Sequence, residues 1–173
     1  MKKIKLTKGL VAIVDDSDYE NVNQFKWQGV VEKCKFRTHF SVRRSVLFNG
    51  KRRTLPMAKF ILGLKPGKKI VADHINGNGL DNRRCNLRAA TMSQNQQNKS
   101  RQLGYSSKYK GVSYYKPKDL WVASIMVNGK IKHLKYSKIE KVVALVYDRE
   151  AIKRFGKFAK INFPALLPRD GKS

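Results

Sequence analysis

Partial alternation of apolar and polar positions marks the first third of the chain and predicts strands there. Residues 4–14 and 36–48 carry β-branched, aromatic and other apolar side chains in this pattern, so each stretch is predicted to be a strand. The dipeptide Asn49-Gly50 is a strong signal for a two-residue hairpin turn, and a return strand is predicted near 52–56. Residues 1–56 are therefore predicted to form a small, mostly β module.

Less regular patterns lie between these strands and after the hairpin. The segment that joins the two strands is polar at its start, and a short helix or turn is predicted around 18–26. Pro56 can open a second short helix as its first residue, and Gly63 suits the carboxyl end of that helix. Residues 66–72 then predict a turn that leads into a short strand.

This short strand ends in an adjacent carboxylate and imidazole, Asp73 and His74, at the start of an unusually polar stretch. Two consecutive Asn-Gly pairs at 76–79 are turn signals. Residues 91–94 are Thr-Met-Ser-Gln, which fits a capping box and predicts a helix over about 92–100. The predicted order is strand, loop, helix.

The last third of the chain predicts a sheet and one long helix. Residues 110–136 are rich in strand-forming side chains and contain a second hairpin signal, Asn128-Gly129. Residues 137–140 are Ser-Lys-Ile-Glu, which fits another capping box and predicts a helix to about residue 155, with Gly156 as its stop. One face of this helix has an apolar side chain at every fourth position, namely Val143, Tyr147, Ala151 and Phe155.

The composition adds a large positive charge to this pattern. The chain has 173 residues, is 41% hydrophobic and carries a formal net charge of +26. Lys and Arg outnumber Asp and Glu by 14 to 5 in residues 1–60, by 8 to 2 in 61–107 and by 16 to 5 in 108–173. The excess is too large for an ordinary enzyme of small neutral substrates. Because no single tail carries it, several parts of the chain are predicted to contact the same long polyanion.

Two further classes of protein are disfavoured. Cys34 and Cys85 lie far apart and form no Cys-x-x-Cys pair, so neither a disulfide framework nor a structural zinc site is predicted. No window is apolar enough for a membrane span, and the amino terminus lacks the apolar core of a signal peptide. We therefore expect a reduced, cytoplasmic protein with no membrane partner.

The polar stretch around Asp73 offers the groups that are needed to cut a phosphodiester bond. A neutral histidine such as His74 can take a proton from water near neutral pH. A Mg²⁺-like ion prefers hard oxygen ligands, and Asp73 can supply a carboxylate. If the downstream helix packs against the strand, the amide oxygen of Asn95 comes beside that carboxylate. Asn86, between them in the sequence, can fasten the loop or orient the imidazole.

These positions, within DHINGNGLDNRRCNLR and the Asn/Gln-rich helix that follows, resemble the HNH nuclease family and its ββα-metal fold. The resemblance implies that Asp73 and Asn95 bind one divalent metal ion, Mg²⁺ or Mn²⁺ and not zinc. It also implies that His74 is the general base and that Asn86 orients it. Many members have His at the last metal position, where this chain has Asn95, and Asn98, one helical turn later, is the rival ligand.

The carboxyl-terminal segment contains a second set of recognisable residues. These are Tyr109-Lys110-Gly111-Val112, Trp121, Ala123, Ile125, Asn128-Gly129-Lys130, Ala144, Tyr147-Asp148, Ala151, Gly156 and Asn162-Phe163-Pro164. Together they resemble the plant APETALA/ethylene-response-factor DNA-binding domain, which also occurs in homing-type HNH proteins. The resemblance implies a three-stranded antiparallel sheet on one helix, with the sheet in the DNA major groove. The DNA contacts expected in this domain are Lys110, Tyr115, Lys116, Lys130 and His133.

Two arginine clusters complete the candidate DNA contacts. The first lies around the predicted amino-terminal hairpin and consists of Arg43, Arg44, Arg52 and Arg53. A basic β-hairpin can lie in a DNA groove. The second flanks the Asp-His pair, where it can clamp phosphate, and consists of Arg83, Arg84 and Arg88. For both clusters, charge that only keeps the surface soluble is the alternative.

These features predict an α+β protein with a nuclease core between two DNA-contacting modules. The predicted divisions are a β module at 1–56, a ββα-metal core at 57–101, a linker at 102–109, a sheet-on-helix DNA-binding domain at 110–164 and a tail at 165–173. We expect a metal-dependent, homing-type endonuclease that acts on double-stranded DNA, as a monomer rather than a dimer, and leaves 5′-phosphate and 3′-hydroxyl ends. One site per chain implies a nick, or a double-strand break if two sites cooperate. The alternatives are a DNA-binding regulator with a decayed nuclease core and an RNA-binding protein.

Overall fold

The computed structural model describes residues 1–35, 37–65, 69–101 and 104–166. Within these ranges the chain is α+β, with several small antiparallel sheets and few helices, as predicted. The predicted turn at 66–68, the start of the predicted linker at 102–103 and the predicted tail from 167 onward lie outside the described residues. The chain divides into two compact units, Met1–Gln96 and Gln97–Ser173.

The amino-terminal segment is a hairpin and not the single strand predicted over 4–14. Strand β1, Lys2–Lys5, pairs antiparallel with strand β2, Val11–Val14. The chain reverses between them because Lys8 and Gly9 both have positive φ, at 62° and 68°, which an extended strand cannot contain. Helix α1, Asp16–Asn23, follows where a short helix was predicted around 18–26.

A three-stranded antiparallel sheet comes next, with β4 between its two neighbours. Its strands are β3, Gln28–Cys34; β4, Arg37–Phe48; and β5, Lys51–Pro56. The hairpin predicted at Asn49-Gly50 is confirmed, with φ of 49° and 70° at these residues. Helix α2, Met57–Ile61, begins one residue later than predicted because Pro56 is its extended N-cap.

The polar stretch lies on a strand–loop–strand–helix arrangement. Strand β6, Ile70–His74, pairs antiparallel with strand β7, Leu87–Thr91, and helix α3, Met92–Asn98, follows directly. The predicted capping box is confirmed. The backbone N–H of Gln94 donates to Oγ1 of Thr91 at 3.2 Å, and that of Thr91 donates to Oε1 of Gln94 at 2.8 Å.

One hydrophobic core serves the whole first unit. It joins residues of the predicted β module and the predicted ββα core, among them Val14, Val22, Trp27, Met57 and Leu87. Trp27 donates its indole N–H to the Val22 carbonyl at 2.8 Å, so the one polar atom of this buried ring is satisfied. The two predicted modules thus share a single core, and the boundary near residue 56 stays a prediction.

The second unit is a three-stranded sheet and one long helix, as predicted. The strands β8, Val112–Tyr115; β9, Leu120–Val127; and β10, Lys130–Ser137, lie in the order β10-β9-β8. Asn128 and Gly129 form the predicted hairpin turn, with φ of 50° and 76°. Helix α4 spans Glu140–Phe155. No helix in the described ranges has the length and apolar character that a membrane span requires.

The capping box predicted at 137–140 is wrong, although the helix follows it. Ser137 is the last residue of β10, where it pairs with Trp121, and the N-cap of α4 is Ile139. The Ser137 hydroxyl instead accepts the Ile139 N–H at 3.1 Å, two residues on, in the turn before the helix.

One glycine and one carboxylate connect the helix of the second unit to the segments that precede the sheet and follow the helix. A Cβ on Gly111, whose φ is +74°, would lie 2.0 Å from the Tyr147 ring, so only glycine fits there. The Asp148 carboxylate has no exposed surface and accepts the backbone N–H groups of Asn162 and Phe163 at 2.8 Å. Burial raises the pKa of Asp148, while these hydrogen bonds oppose the shift.

Candidate active site

Asp73 and His74 are the last two residues of β6 and lie at the mouth of the loop between β6 and β7. Their β7 partners are Arg88 and Leu87. Adjacent strand residues point to opposite faces, and the exposed fractions agree with this. Asp73 is only 3% exposed, whereas His74 is half-buried. The turn therefore presents the imidazole at the edge of the site while the carboxylate stays inside.

The imidazole of His74 contacts Asn82, a residue that the sequence analysis did not select. Nε2 lies 3.2 Å from Oδ1 of Asn82, and Nδ2 of Asn82 donates to the Gly79 carbonyl at 3.2 Å. An amide oxygen can only accept, so Nε2 of the neutral ring is the donor and the ring lone pair is on Nδ1.

Burial lowers the pKa of His74. The hydrogen bond that His74 makes to Asn82 and the charges of Asp73 and Asp81 oppose the shift without reversing it. The lowered pKa favours the neutral ring at neutral pH, and neutral imidazole is the form that can accept a proton.

The amino-terminal hairpin fixes the position of Asn82. The backbone N–H of Asn82 donates to the Ile13 carbonyl at 2.8 Å, and the Ile13 N–H donates to the Leu80 carbonyl at 2.8 Å. Gly79 lies so close to β4 that an added Cβ would come 2.0 Å from the Phe40 carbonyl oxygen. Two parts of the first unit thus clamp this loop, which makes the buried Asn82 side chain a fixed partner for the imidazole.

Asn86 fastens the loop from inside. Its Oδ1 accepts the Asn76 backbone N–H at 2.9 Å, and its Nδ2 donates to Oδ1 of Asn76 at 3.0 Å and to the Asp81 carbonyl at 2.8 Å. The sequence left two roles open for Asn86, fastening the loop or orienting the imidazole. These hydrogen bonds are contacts that fasten the loop. The contact to the imidazole comes from Asn82 instead.

The Asp73 carboxylate is held by Arg88 across the β6–β7 pair. Both Nε and Nη2 of Arg88 lie 2.8 Å from Oδ2 of Asp73. The two side chains are only 4% and 12% exposed, so the pair is shielded from solvent and its geometry is restrained. The guanidinium predicted to clamp phosphate is therefore engaged with Asp73.

The other two arginines beside the site also form ion pairs within the chain. Arg83 makes two hydrogen bonds of 2.7 Å to Asp81, and Arg84 bonds to Asp18 at 2.7 and 2.8 Å and to the Ile61 carbonyl at 3.0 Å. The Arg83 bond lowers the pKa of Asp81. Arg83 and Arg84 remain 36% and 55% exposed, so each still presents part of its guanidinium to solvent.

The oxygen donors that the sequence analysis selected are of the chemical type that a hard divalent ion prefers. No three His, Cys, Asp or Glu side chains gather into a metal-binding group within the described ranges. A metal ion here would therefore depend on the carboxylate of Asp73 and on neutral oxygens. Asn95 is half-buried early in α3, and Asn98 follows on the same helix. One carboxylate with an amide oxygen leaves coordination positions for water and phosphate, which suits Mg²⁺ or Mn²⁺.

Three of the four hairpin arginines are exposed. Arg43, Arg52 and Arg53 project from the β4–β5 hairpin into solvent. Arg44 differs, since its guanidinium carbon lies 3.7 Å from the Phe25 ring centroid and the side chain is half-buried. This cation–π contact ties Arg44 to the core of the first unit.

The candidate contacts of the second unit are mostly on its surface. Tyr115, Lys116, Lys130 and His133 are exposed. Nδ1 of His133 lies 2.9 Å from the Ser124 hydroxyl. Lys110 differs, because burial and the charge of Lys160 lower the pKa of its amine to about 8.

Comparison with known proteins places these features in a family. The HNH endonuclease family model matches residues 60–97, which contain Asp73, His74, Asn82, Asn86 and Asn95. An uncharacterized HNH endonuclease of Acanthamoeba polyphaga mimivirus is 31% identical over 159 residues, which are 90% of this chain and 76% of the viral protein. Protein 3.8 of Escherichia phage T7 is 32% identical over 93 residues, which are 54% of this chain and 76% of the phage protein. No solved structure matches the chain.

Proposed function

The chain belongs to the HNH endonuclease family, and from that premise we propose that it is a metal-dependent, homing-type endonuclease of double-stranded DNA. It hydrolyses a phosphodiester bond and leaves 5′-phosphate and 3′-hydroxyl ends. The observation that carries the proposal is the contact between the His74 imidazole and the buried Asn82, in a loop that follows Asp73. A net charge of +26 supports a nucleic-acid substrate.

His74 is the general base in this proposal. Nδ1 carries the lone pair, because Nε2 donates to Asn82. It accepts a proton from the attacking water, and the burial that lowers its pKa keeps it ready to do so at neutral pH. Asn86 contributes by fastening the loop that carries Asn82.

HNH nucleases generally use a divalent metal ion. Asp73 and Asn95 would hold it here, as Mg²⁺ or Mn²⁺. When bound, such an ion stabilises the extra negative charge of the phosphate and of the departing oxygen. Arg88 orients the carboxylate that would face it, through the two contacts to Oδ2 of Asp73.

In this proposal each unit contributes its own basic residues to DNA binding. The first unit contacts DNA through Arg43, Arg52 and Arg53. It also uses the exposed parts of the Arg83 and Arg84 side chains. In the second unit, an APETALA/ethylene-response-factor-type module contacts DNA through its sheet, and phosphate anchoring is the role of Lys116 and Lys130. The one candidate active site in the described part of the chain supports nicking by a monomer.

A DNA-binding regulator without activity is the competing function. It would need no imidazole held in one tautomer, and the hydrogen bonds around His74 and Asn82 therefore favour the nuclease. A nicking assay on supercoiled plasmid separates the two, with Mg²⁺ or Mn²⁺ in one arm and EDTA in the other. We expect metal-dependent nicks that DNA ligase can reseal, since ligase requires 5′-phosphate and 3′-hydroxyl ends. Tight binding without nicking in either metal identifies the regulator, and a preference for duplex RNA would move the protein to another class.

A further inference from the structure

We propose that Leu47, at the tip of the β4–β5 hairpin, is an apolar wedge that enters a DNA base step and kinks the duplex. The inference rests on the DNA binding of the proposed function and adds to it a contact that distorts the duplex. Leu47 is 77% exposed, the highest value among the large hydrophobic side chains in the described part of the chain. It lies within one of the most basic segments of the sequence, 43–53.

The hairpin projects from the first unit as a two-stranded ribbon. Strand β3 covers β4 only as far as the pair Gln28–Arg43, so beyond Arg43 strand β4 has β5 as its neighbour. The last buried side chain on the ribbon is Leu55, opposite Arg44. From Arg43 to Phe48 the ribbon extends for about 17 Å at the rise of a β-strand. The two-residue turn at Asn49-Gly50 closes the ribbon, so its tip is narrow.

The two faces of the tip each combine an apolar side chain with cations. Leu47 is directly opposite Arg52, and Phe48, itself 36% exposed, is directly opposite Lys51. Because side chains alternate along a strand, Leu47 and Phe48 point to opposite faces, and Arg53 lies on the face of Phe48. An apolar side chain at the tip can enter the stack of DNA bases. The cations on both faces of the tip can then contact the phosphates on each side of that base step.

The charge identifies the occupant as DNA rather than a second copy of this chain. The segment 43–53 contains Arg43, Arg44, Lys51, Arg52 and Arg53 and no acidic residue, so two such hairpins would repel each other. Leucine is one of the side chains that proteins insert between base steps from the minor groove, and β-ribbons are among the elements that reach it. The energy of unstacking is recovered when the bent duplex contacts more of a basic surface.

The test compares Leu47→Ala with a matched leucine variant, Leu166→Ala, which removes a side chain that is 60% exposed outside the hairpin. The probe is a duplex of about 30 base pairs, shorter than the DNA persistence length, with a donor and an acceptor dye at its ends. A second duplex has a central pair of mismatched bases, where unstacking is already partly complete. Energy transfer at saturating protein reports the bend, and a salt titration reports the ionic contacts.

We expect the wild type and Leu166→Ala to bend the paired duplex equally. Leu47→Ala should lose the bend and about tenfold in affinity, from the lost apolar contact. Its salt slope should be unchanged, because no charge is removed. On the mismatched duplex, its affinity should approach that of the wild type.

The proposal is overturned if Leu47→Ala bends the paired duplex as the wild type does. It is also overturned if the variant changes only the sedimentation of the free protein, since Leu47 would then lie between two copies of the chain. The experiment distinguishes failure of the wedge proposal from failure of the nuclease proposal. A bend that depends on Leu47, without metal-dependent nicking, would support the wedge and contradict the nuclease. Normal nicking without a bend would support the nuclease and contradict the wedge.

Discussion

At the scale of single residues, the contact with Asn82 determines which ring nitrogen of neutral His74 carries the proton. The Asn82 oxygen accepts from Nε2, while its own N–H donates to Gly79, so the amide cannot turn without losing a bond. Replacing it with leucine, of similar size, leaves the imidazole free to choose its tautomer. Because Asn82 is only 1% exposed, its replacement changes contacts inside the loop and leaves the protein surface unchanged.

We predict that Asn82→Leu lowers the single-turnover rate of nicking about 10- to 100-fold and leaves DNA affinity unchanged, because the residue orients the base and does not contact the substrate. Asn82→Asp keeps an acceptor for Nε2 and should recover much of the rate. Rates and affinities of the three proteins, measured on the same plasmid, check this. Equal rates for Asn82→Leu and the wild type would remove Asn82 from the mechanism.

The proposed metal ligand with a neutral side chain, Asn95, gives the second residue-scale prediction. An amide oxygen binds Mg²⁺ less firmly than a carboxylate, so much of the coordination falls to water and DNA. We expect Asn95→Ala to lose most activity and to regain part of it at high Mn²⁺, whose affinity for oxygen and nitrogen ligands differs from that of Mg²⁺. Asn98→Ala, on the same helix, is the matched control and should be much milder. If a metal titration shows the reverse order, the ligand is Asn98.

At the scale of the elements, the site depends on a loop that is pressed against β4. Gly79→Ala would place a Cβ 2.0 Å from the Phe40 carbonyl oxygen, which belongs to backbone and cannot rotate away. We expect destabilisation of about 1–3 kcal/mol and a large loss of nicking, because the shifted loop carries Asn82. Gly111→Ala crowds the side chain of Tyr147 at a position of positive φ in the second unit, and it serves as the destabilised control. At saturating DNA it should retain nicking, whereas Gly79→Ala should not.

Local sequence signals predicted the elements well where one short motif decides the structure. The two hairpin turns, Asn49-Gly50 and Asn128-Gly129, and the capping box at 91–94 each form the bonds or angles that the sequence predicts. Strand β3 was missed because its apolar residues, Val30 and Val31, are adjacent rather than alternating. The prediction of a capping box at 137–140 was wrong because Ser137 pairs with Trp121 in the sheet and is not the N-cap of the helix.

Asn82 could not have been found by the same means. Its place depends on hydrogen bonds to Ile13, which lies far away in the sequence, and on the approach of Gly79 to β4. The sequence selected Asp73 and His74 as candidates for the chemistry, and that selection stays a prediction. It did not identify which of several Asn residues contacts the imidazole, because that contact is set by packing of the loop on the amino-terminal hairpin.

At the scale of the whole molecule, positive charge is shared by both units. Residues 108–173 contain 16 Lys and Arg against 5 Asp and Glu. A chain that ends after residue 101 should therefore bind duplex DNA more weakly and with a shallower salt dependence, since each lost phosphate contact reduces the slope by about 0.9. Nicking that is weaker and less selective should persist, because Asp73, His74 and Asn95 remain. Affinity measured over a series of salt concentrations checks this, and an unchanged slope would deny the second unit a role in DNA binding.

The most direct test of the nuclease assignment is the single-turnover nicking rate of His74→Ala beside the wild type, at the same Mg²⁺ or Mn²⁺ concentration and with DNA binding measured in parallel. Loss of the general base should lower the rate by about 10²- to 10⁴-fold while the affinity for DNA stays the same. A variant that binds and cuts DNA at the wild-type rate would contradict the role of His74 and with it the mechanism proposed for this chain.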